Sequence, residues 1–385
     1  MKRTILAISF IVIFLTASCL IDITPVLASE NSWTTKQPMP TARSELGVAV
    51  VNGKIYAIGG SRGIIVGYDN NEEYDPAKDT WIAKKLMPTP RGGFAIAVFQ
   101  NKIYVIGGAI RAGTGFTEMT LVNEVYDPAT DTWSTKASMP MLKESLSANV
   151  VNGKIYLIGG MTQSEPNATV HPSTDNLVYD PITDSWTTKT PIPTRAYSYA
   201  SAVVDNRIYV ISGHETEVMS DNGTTHIPAP NQIYDPQTDT WSNGASMPIA
   251  VDFGAAAGAT TGVAAPKAIY VMGGFVGFVS PLNLTQVYHP ENDTWSIGAS
   301  MQIPLYGLGV AIVNDTLFAI GGKTGIYSPD VAENNQYTPI GYGAVPHQLE
   351  PFPTTFIAVA SGVSVAIIGI GLFLYLNKRG RSWQP

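Results

Sequence analysis

Six tryptophans, Trp33, Trp81, Trp133, Trp186, Trp241 and Trp295, each precede an apolar run that closes on a pair of small residues. The pairs are Gly59-Gly60, Gly107-Gly108, Gly159-Gly160, Ser212-Gly213, Gly273-Gly274 and Gly321-Gly322, and the interval from Trp to the first member is 26 in five copies and 32 in the copy starting at Trp241. A third constant element, Tyr-Asp-Pro-x-x-Asp-Thr-Trp in its fullest form, places Tyr74, Tyr126, Tyr179, Tyr234 and Tyr288 seven residues ahead of a Trp. A period of 48 to 55 residues predicts a propeller or a solenoid rather than a string of ordinary domains.

One unit can be read by its hydrophobic period. Gly47–Val51 is apolar, Asn52-Gly53 is the strongest short hairpin signal, and Lys54–Ile58 follows as the return strand. Glu72–Tyr74 reads as a third strand stopped by Asp75-Pro76, and Trp81 opens a fourth. A lone four-stranded meander cannot bury both faces, whereas six packed face to face around an axis can, so the chain is expected to be all-β with its repeats packed together. The Trp and Tyr rings are then packing between blades. The glycine pairs either admit a neighbouring backbone or supply a positive φ.

The glycine pair, the Tyr-Asp-Pro and the spaced Trp resemble the kelch repeat, over residues 31 to 338. That resemblance implies a six-bladed β-propeller with the strand before Asn52-Gly53 innermost and the Trp strand outermost. The last unit has Asn335-Gln336-Tyr337-Thr338-Pro339 and no Trp after it, while Trp33 has no strands before it. Trp33 is therefore expected to complete the last blade. The resemblance implies binding of a protein or glycan through the loop-rich face, without catalysis or cofactor. It also takes in kelch propellers that mutarotate sialic acid, so the alternative is a carbohydrate-processing enzyme using basic residues at the axial mouth. Galactose oxidase chemistry, which needs a tyrosine cross-linked to cysteine, is excluded for a mature chain whose single Cys19 would leave with a signal peptide.

Residues 1–28 have the layout of a secretory signal, with Lys2-Arg3, an apolar run and Val26-Leu27-Ala28 before Ser29. The rival readings are a lipoprotein modified at Cys19 and an uncleaved anchor. Residues 29–339 are the propeller, and 340–353, with Pro346, Pro351 and Pro353, read as a short stalk. Residues 354–376 read as a transmembrane helix: Phe356–Leu376 has no charge, and at ~1.5 Å rise per residue it is long enough for a bilayer. The basic tail 377–385 then puts the C-terminus in the cytoplasm and the propeller outside, as a single-pass protein of the cell membrane. Glu350-Pro351-Phe352-Pro353 ahead of that helix also resembles a C-terminal sorting signal, which would lead to processing there.

Residues 29–353 carry 18 basic and 29 acidic side chains, a balance that disfavours nucleic acid. Five sequons, at Asn167, Asn222, Asn283, Asn292 and Asn314, are close to the number chance supplies. No hydrolase elbow, zinc-protease motif, P-loop or nucleotide-binding turn is present. His171, His214 and His226 fall in swollen second-to-third loops and are read as solvated, so no metal is expected. The candidate ligand site is the axial mouth. Arg43, Arg91 and Lys143 stand ten residues after their Trp and Arg195 stands nine, so four consecutive blades are expected to present a cation there. Glu45, Glu144 and Asp252 are the anions that could neutralise the ring; an acidic ligand is the other way to satisfy it.

Overall fold

The computed structural model describes residues 29–344 except 63–64, 112–116, 165–167, 221–222, 229, 252–253 and 277–279. Residues 1–28 and 354–385, read from the sequence as a signal, a transmembrane helix over 354–376 and a basic tail, and nearly all of the expected stalk lie outside the described residues. Among the described residues no helix is long and apolar enough to cross a membrane.

Each repeat is a four-stranded antiparallel meander. Blade 1 runs Gly47–Val51, Lys54–Ile58, Asn71–Asp75 and Thr80–Ala83, from the axis outward. Four further sheets of the same order span residues 95–135, 148–189, 200–243 and 256–298. Blade 6 takes three strands from the end, Gly309–Val313, Thr316–Ile320 and Asn334–Thr338, and its outer strand from the beginning, Ser32–Thr35, with Trp33 opposite Tyr337.

Hairpins between inner and second strands obey the turn chemistry. Both central residues have positive φ in Asn52-Gly53, Asn152-Gly153, Gln100-Asn101, Asp205-Asn206 and Asn314-Asp315, the geometry that matches the strand twist. The second strands are buried on both faces: Ile55, Tyr56, Ala57 and Ile58 are at most 3% exposed. That is why they read as unbroken apolar runs rather than alternating ones. Six apolar clusters result, one between each pair of neighbouring blades. The cluster of Ile55, Ala57 and Tyr74 with Ala311, Phe318 and Ile320 closes blade 1 onto blade 6.

A polar latch repeats beside each cluster. In blade 2 the Tyr126 hydroxyl donates to Asp131 Oδ1 at 2.6 Å, Lys85 N–H from blade 1 donates to the same oxygen at 2.8 Å, and Trp133 Nε1 donates to the Lys85 carbonyl at 2.9 Å. One residue before the blade is thus held by both of its backbone polar groups. Asp79, Asp184, Asp239 and Asp293 do the same in their blades. In blade 6 the oxygen comes from Asn31, which accepts from Ala299 N–H and the Tyr337 hydroxyl, while Trp33 Nε1 donates to the Ala299 carbonyl. All these Asp and Asn residues have φ near +50°, a region these two side chains tolerate best after glycine.

The glycine pairs sit where the loop leading into the next blade crosses. A Cβ on Gly59 would lie 2.7 Å from the Arg91 carbonyl, and one on Gly273 would lie 2.3 Å from that of Leu305. Gly60 and Gly274 N–H donate to those same carbonyls at 2.9 Å. Ser212 holds the first position in blade 4 at φ 56°, its hydroxyl bonded to the Val251 carbonyl.

All second-to-third connections emerge where the inner strands begin, which makes this the loop-rich face. Several form small ribbons, among them Ala109–Arg111 with Thr117–Met119 and His214–Ser220 with Gly223–Pro228. The opposite face carries the hairpins, of which only that of blade 5 is extended. There Asp315 accepts from the N–H groups of Thr261, Val263, Ala264 and Ala265. Both ends of the propeller leave on this hairpin face: Gly341 N–H donates to Glu30, and Gly343 N–H to the Ala264 carbonyl.

Candidate functional site

At the mouth, six residues with left-handed backbone form a closed hydrogen-bonded circle. Glu45, Gly93, Ser145, Ser198, Gly254 and Gly307 have φ between 52° and 68°. Each N–H donates to the carbonyl of its counterpart one blade back: Gly93 to Glu45, Ser145 to Gly93, Ser198 to Ser145, Gly254 to Ser198, Gly307 to Gly254, and Glu45 to Gly307 at 2.7 Å. These peptides consume their own polarity around the rim.

Inside the circle lies a cavity of about 280 Å³. Leu46, Phe94, Leu146, Tyr199, Ala255 and Leu308 form its first tier and Val48, Ile96, Ala148, Ser201, Ala257 and Val310 a deeper one. Among the described lining residues, Glu45 is the charged one. It is exposed, and its Oε2 accepts from the Ser61 hydroxyl at 2.9 Å. Glu144 is half-buried beside the rim. Burial, reinforced by the charge of Glu45, pushes its carboxyl up to about 7. The Tyr199 hydroxyl is occupied with the Ile158 carbonyl at 2.5 Å.

The expected cations are elsewhere. Arg43, Arg91 and Lys143 are 0% exposed and turn into their own blades rather than into the mouth. Arg43 bonds Glu72 at 2.6 Å and the carbonyls of Thr41 and Ala57; Arg91 bonds Glu124 at 2.5 Å and the carbonyls of Thr89 and Val105. Lys143 reaches Asp175 at 3.1 Å, Ser173 and the Gly159 carbonyl. Burial lowers the pKa of all three cations, opposed in each case by the partner carboxylate. The neutralising anions are thus Glu72, Glu124 and Asp175 and not Glu45 and Glu144; Asp252 lies outside the described residues. Arg195 is exposed and does not join the ring: the carbonyl bonded by the second glycine identifies Ala196 as the blade 4 counterpart of Arg43, with Val251 and Leu305 in blades 5 and 6.

Arg43 and Arg91 anchor their leading loops to the third strand, and other blades reach the same end with amides. Gln232 and Gln286 stand at the position of Glu72 and exchange two hydrogen bonds each with the backbone of Thr194 and Ile249. In blade 3 that position is Leu177, so Lys143 takes its anion from the preceding loop. Glu72 and Glu124 could have been found from sequence as carboxylates two residues before Tyr74 and Tyr126, in the two blades that carry arginine. The rim circle left a fainter trace, three glycines and two serines at equivalent positions.

Sugar-processing chemistry through basic residues at the mouth has no basic side chain in the described lining to work with. Among the described residues no three metal-ligand side chains converge. His171 is exposed, and the side chains of His214 and His226 lie outside the described set. The loop-rich face does carry one prominent tip. Tyr327 is 100% exposed beside Ile326, on a loop whose base is held by Ser44 donating to Asp330 and by backbone bonds between Tyr306 and Lys323.

Sequence comparison finds the repeat in five segments. Kelch motif models match residues 42–83, 145–193 and 259–302, and a second kelch model matches 90–140 and 195–248. The chain belongs to the kelch-repeat family. It is similar to Kelch-like protein 25 of Xenopus tropicalis, 27% identical over 240 residues, covering 61% of this chain and 38% of that one. Alpha-scruin of Limulus polyphemus is 29% identical over 196 residues, covering 49% of this chain and 20% of its own. The chain therefore spans under two fifths of the length of these relatives. A solved structure titled "Structure of YjhT" superposes with a TM-score of 0.64 at 19% identity, over 78% of this chain and 96% of the other, a likeness of fold.

Proposed function

We propose that this kelch propeller is a binding module that engages a protein or glycan partner outside the cell through its loop-rich face, and that it acts by binding rather than catalysis. The observation that carries the reading is the asymmetry of the two faces. One bears the mouth cavity, the ribbons and the fully exposed Tyr327; the other bears mostly tight hairpins and both ends of the propeller. Loops held on a rigid scaffold are where recognition concentrates, and exposed aromatics are favoured anchors. Among the described lining residues Glu45 has no histidine or cation beside it, a poor beginning for general acid–base chemistry.

The apolar segment 354–376 supports single-pass attachment to the cell membrane with residues 377–385 in the cytoplasm. The chain leaves the propeller from the hairpin face. A photo-crosslinking residue at position 327 of the full chain on intact cells should capture a partner, whereas the same residue at Ile182, 68% exposed on the hairpin face, should not. Equal capture at both positions would overturn the assignment of the face. External protease should reach the propeller while the full chain fractionates with membranes; a protected propeller would reverse the topology.

A further inference from the structure

The pattern of charge at the mouth is the reverse of what the spacing of basic residues implied. Three cations near the rim are fully buried and each is paired with a carboxylate of its own blade, so none offsets a charge in the cavity. Glu45 remains, lining the cavity and in no ion pair among the described residues. The rim peptides add no attraction for an anion, because all six N–H groups of the circle already donate to carbonyls of the circle. Below Glu45 the first tier is largely apolar. The volume, about 280 Å³, is below the ~300–1,000 Å³ usual for small-molecule pockets and suits one long side chain. The surrounding protein is acidic, 18 basic against 29 acidic residues over 29–353, which favours a basic partner by long-range attraction.

We propose that the axial mouth receives a lysine or arginine side chain of a protein partner, its charged head on the Glu45 carboxylate at the rim and its aliphatic stem lying across the apolar tier of Leu46, Phe94 and Leu308. An amphipathic side chain fits such a site because its stem is apolar and its head is cationic. Charge-assisted bonds to a carboxylate are stronger than neutral ones. This rests on the reading of the loop-rich face as the binding face, and names the chemistry it selects.

The test is selection from a phage library of random 12-residue peptides on the full chain in nanodiscs, followed by affinity measurement with the synthetic winners. The expected result is a shared lysine or arginine whose replacement, by norleucine or citrulline respectively, weakens binding at least tenfold. Glu45→Gln should weaken the parent peptide by a similar factor and the replaced peptide hardly at all. Glu45 is exposed and its charge opposes ionisation of Glu144, so the isosteric Gln should not lower the melting temperature; Glu45→Asp, which keeps the charge, should recover part of the affinity. Winners rich in Asp or Glu, winners indifferent to Glu45→Gln, or a library with no enriched peptide would each overturn the proposal. If winners lose affinity with Tyr327→Ala but not with Glu45→Gln, the binding face stands and the cavity assignment falls. If they respond to neither substitution, the face falls as well. A free alkylguanidine that binds as tightly as the arginine peptide would also overturn it, in favour of a small-molecule amine site.

Discussion

Arg91 shows what a single residue does here. Its guanidinium has left water for a site where Glu124 and two carbonyls bond its two terminal nitrogens and Nε has no partner among the described residues, so removing Glu124 strands a buried charge. Arg91→Met should cost about 3–5 kcal/mol, and the double variant Arg91→Met with Glu124→Leu should recover much of that. Urea denaturation of the four proteins of the cycle checks this. Glu144 bears on pH. Its folded pKa, about 7, stands above its ordinary 4.5 because burial and Glu45 disfavour the ionised form, so the folded state holds the proton more tightly than the unfolded one. That contribution is complete below pH 4.5 and is lost as pH rises through 7. Glu144→Gln, which mimics the protonated form, should match the wild-type melting temperature near pH 4.5 and exceed it by a growing margin up to pH 8. The cations themselves were legible by their distance from Trp, but not their direction. Spacing alone does not say which way a side chain in the leading loop turns, and in blade 4 the residue ten after the Trp is Ala196, so Arg195, at nine, falls one place short of the anchoring position.

The repeating element is the third strand, the turn after it and the outer strand, and its latch explains why Tyr, Asp and Trp recur together. One carboxylate oxygen serves two donors, the ring hydroxyl of its own blade and a peptide N–H of the blade before. Asp131→Ala would leave the Tyr126 hydroxyl and Lys85 N–H without that acceptor, at a cost of about 1–3 kcal/mol. Asp131→Asn keeps an oxygen in place and suits the positive φ, as Asn31 already does in blade 6; its cost should stay below about 1 kcal/mol. Chemical denaturation of both variants separates these outcomes. The strands were legible from sequence because each repeat spells the same packing problem. The mouth was less so: its circle depends on backbone conformation at positions where Glu, Ser and Gly all serve, and the loops around it vary from blade to blade because packing does not constrain them.

At the scale of the whole ring, the strand Ser32–Thr35 closes both a sheet and an inter-blade latch. Deleting residues 31–37 should expose the edge of Asn334–Thr338, lower the melting temperature sharply and promote association, since an unpaired strand edge recruits other chains. Calorimetry and sedimentation would show it, and an unchanged melting curve would mean that closure contributes little. The same latch has an implication for construction. Because Asn31 and Trp33 do in blade 6 what Asp79 and Trp81 do in blade 1, nothing in the packed ring marks where its thread starts. Thr338 and Asn31 occupy the places of Asp75 and Asp79, so a three-residue bridge like Pro76–Lys78 could join them. New ends could then be opened at Gln237-Thr238 in the corresponding turn of blade 4. Such a permuted chain should assemble the same propeller. Every turn available for the cut lies on the hairpin face, so wherever the thread is tied, the knot stays clear of the mouth.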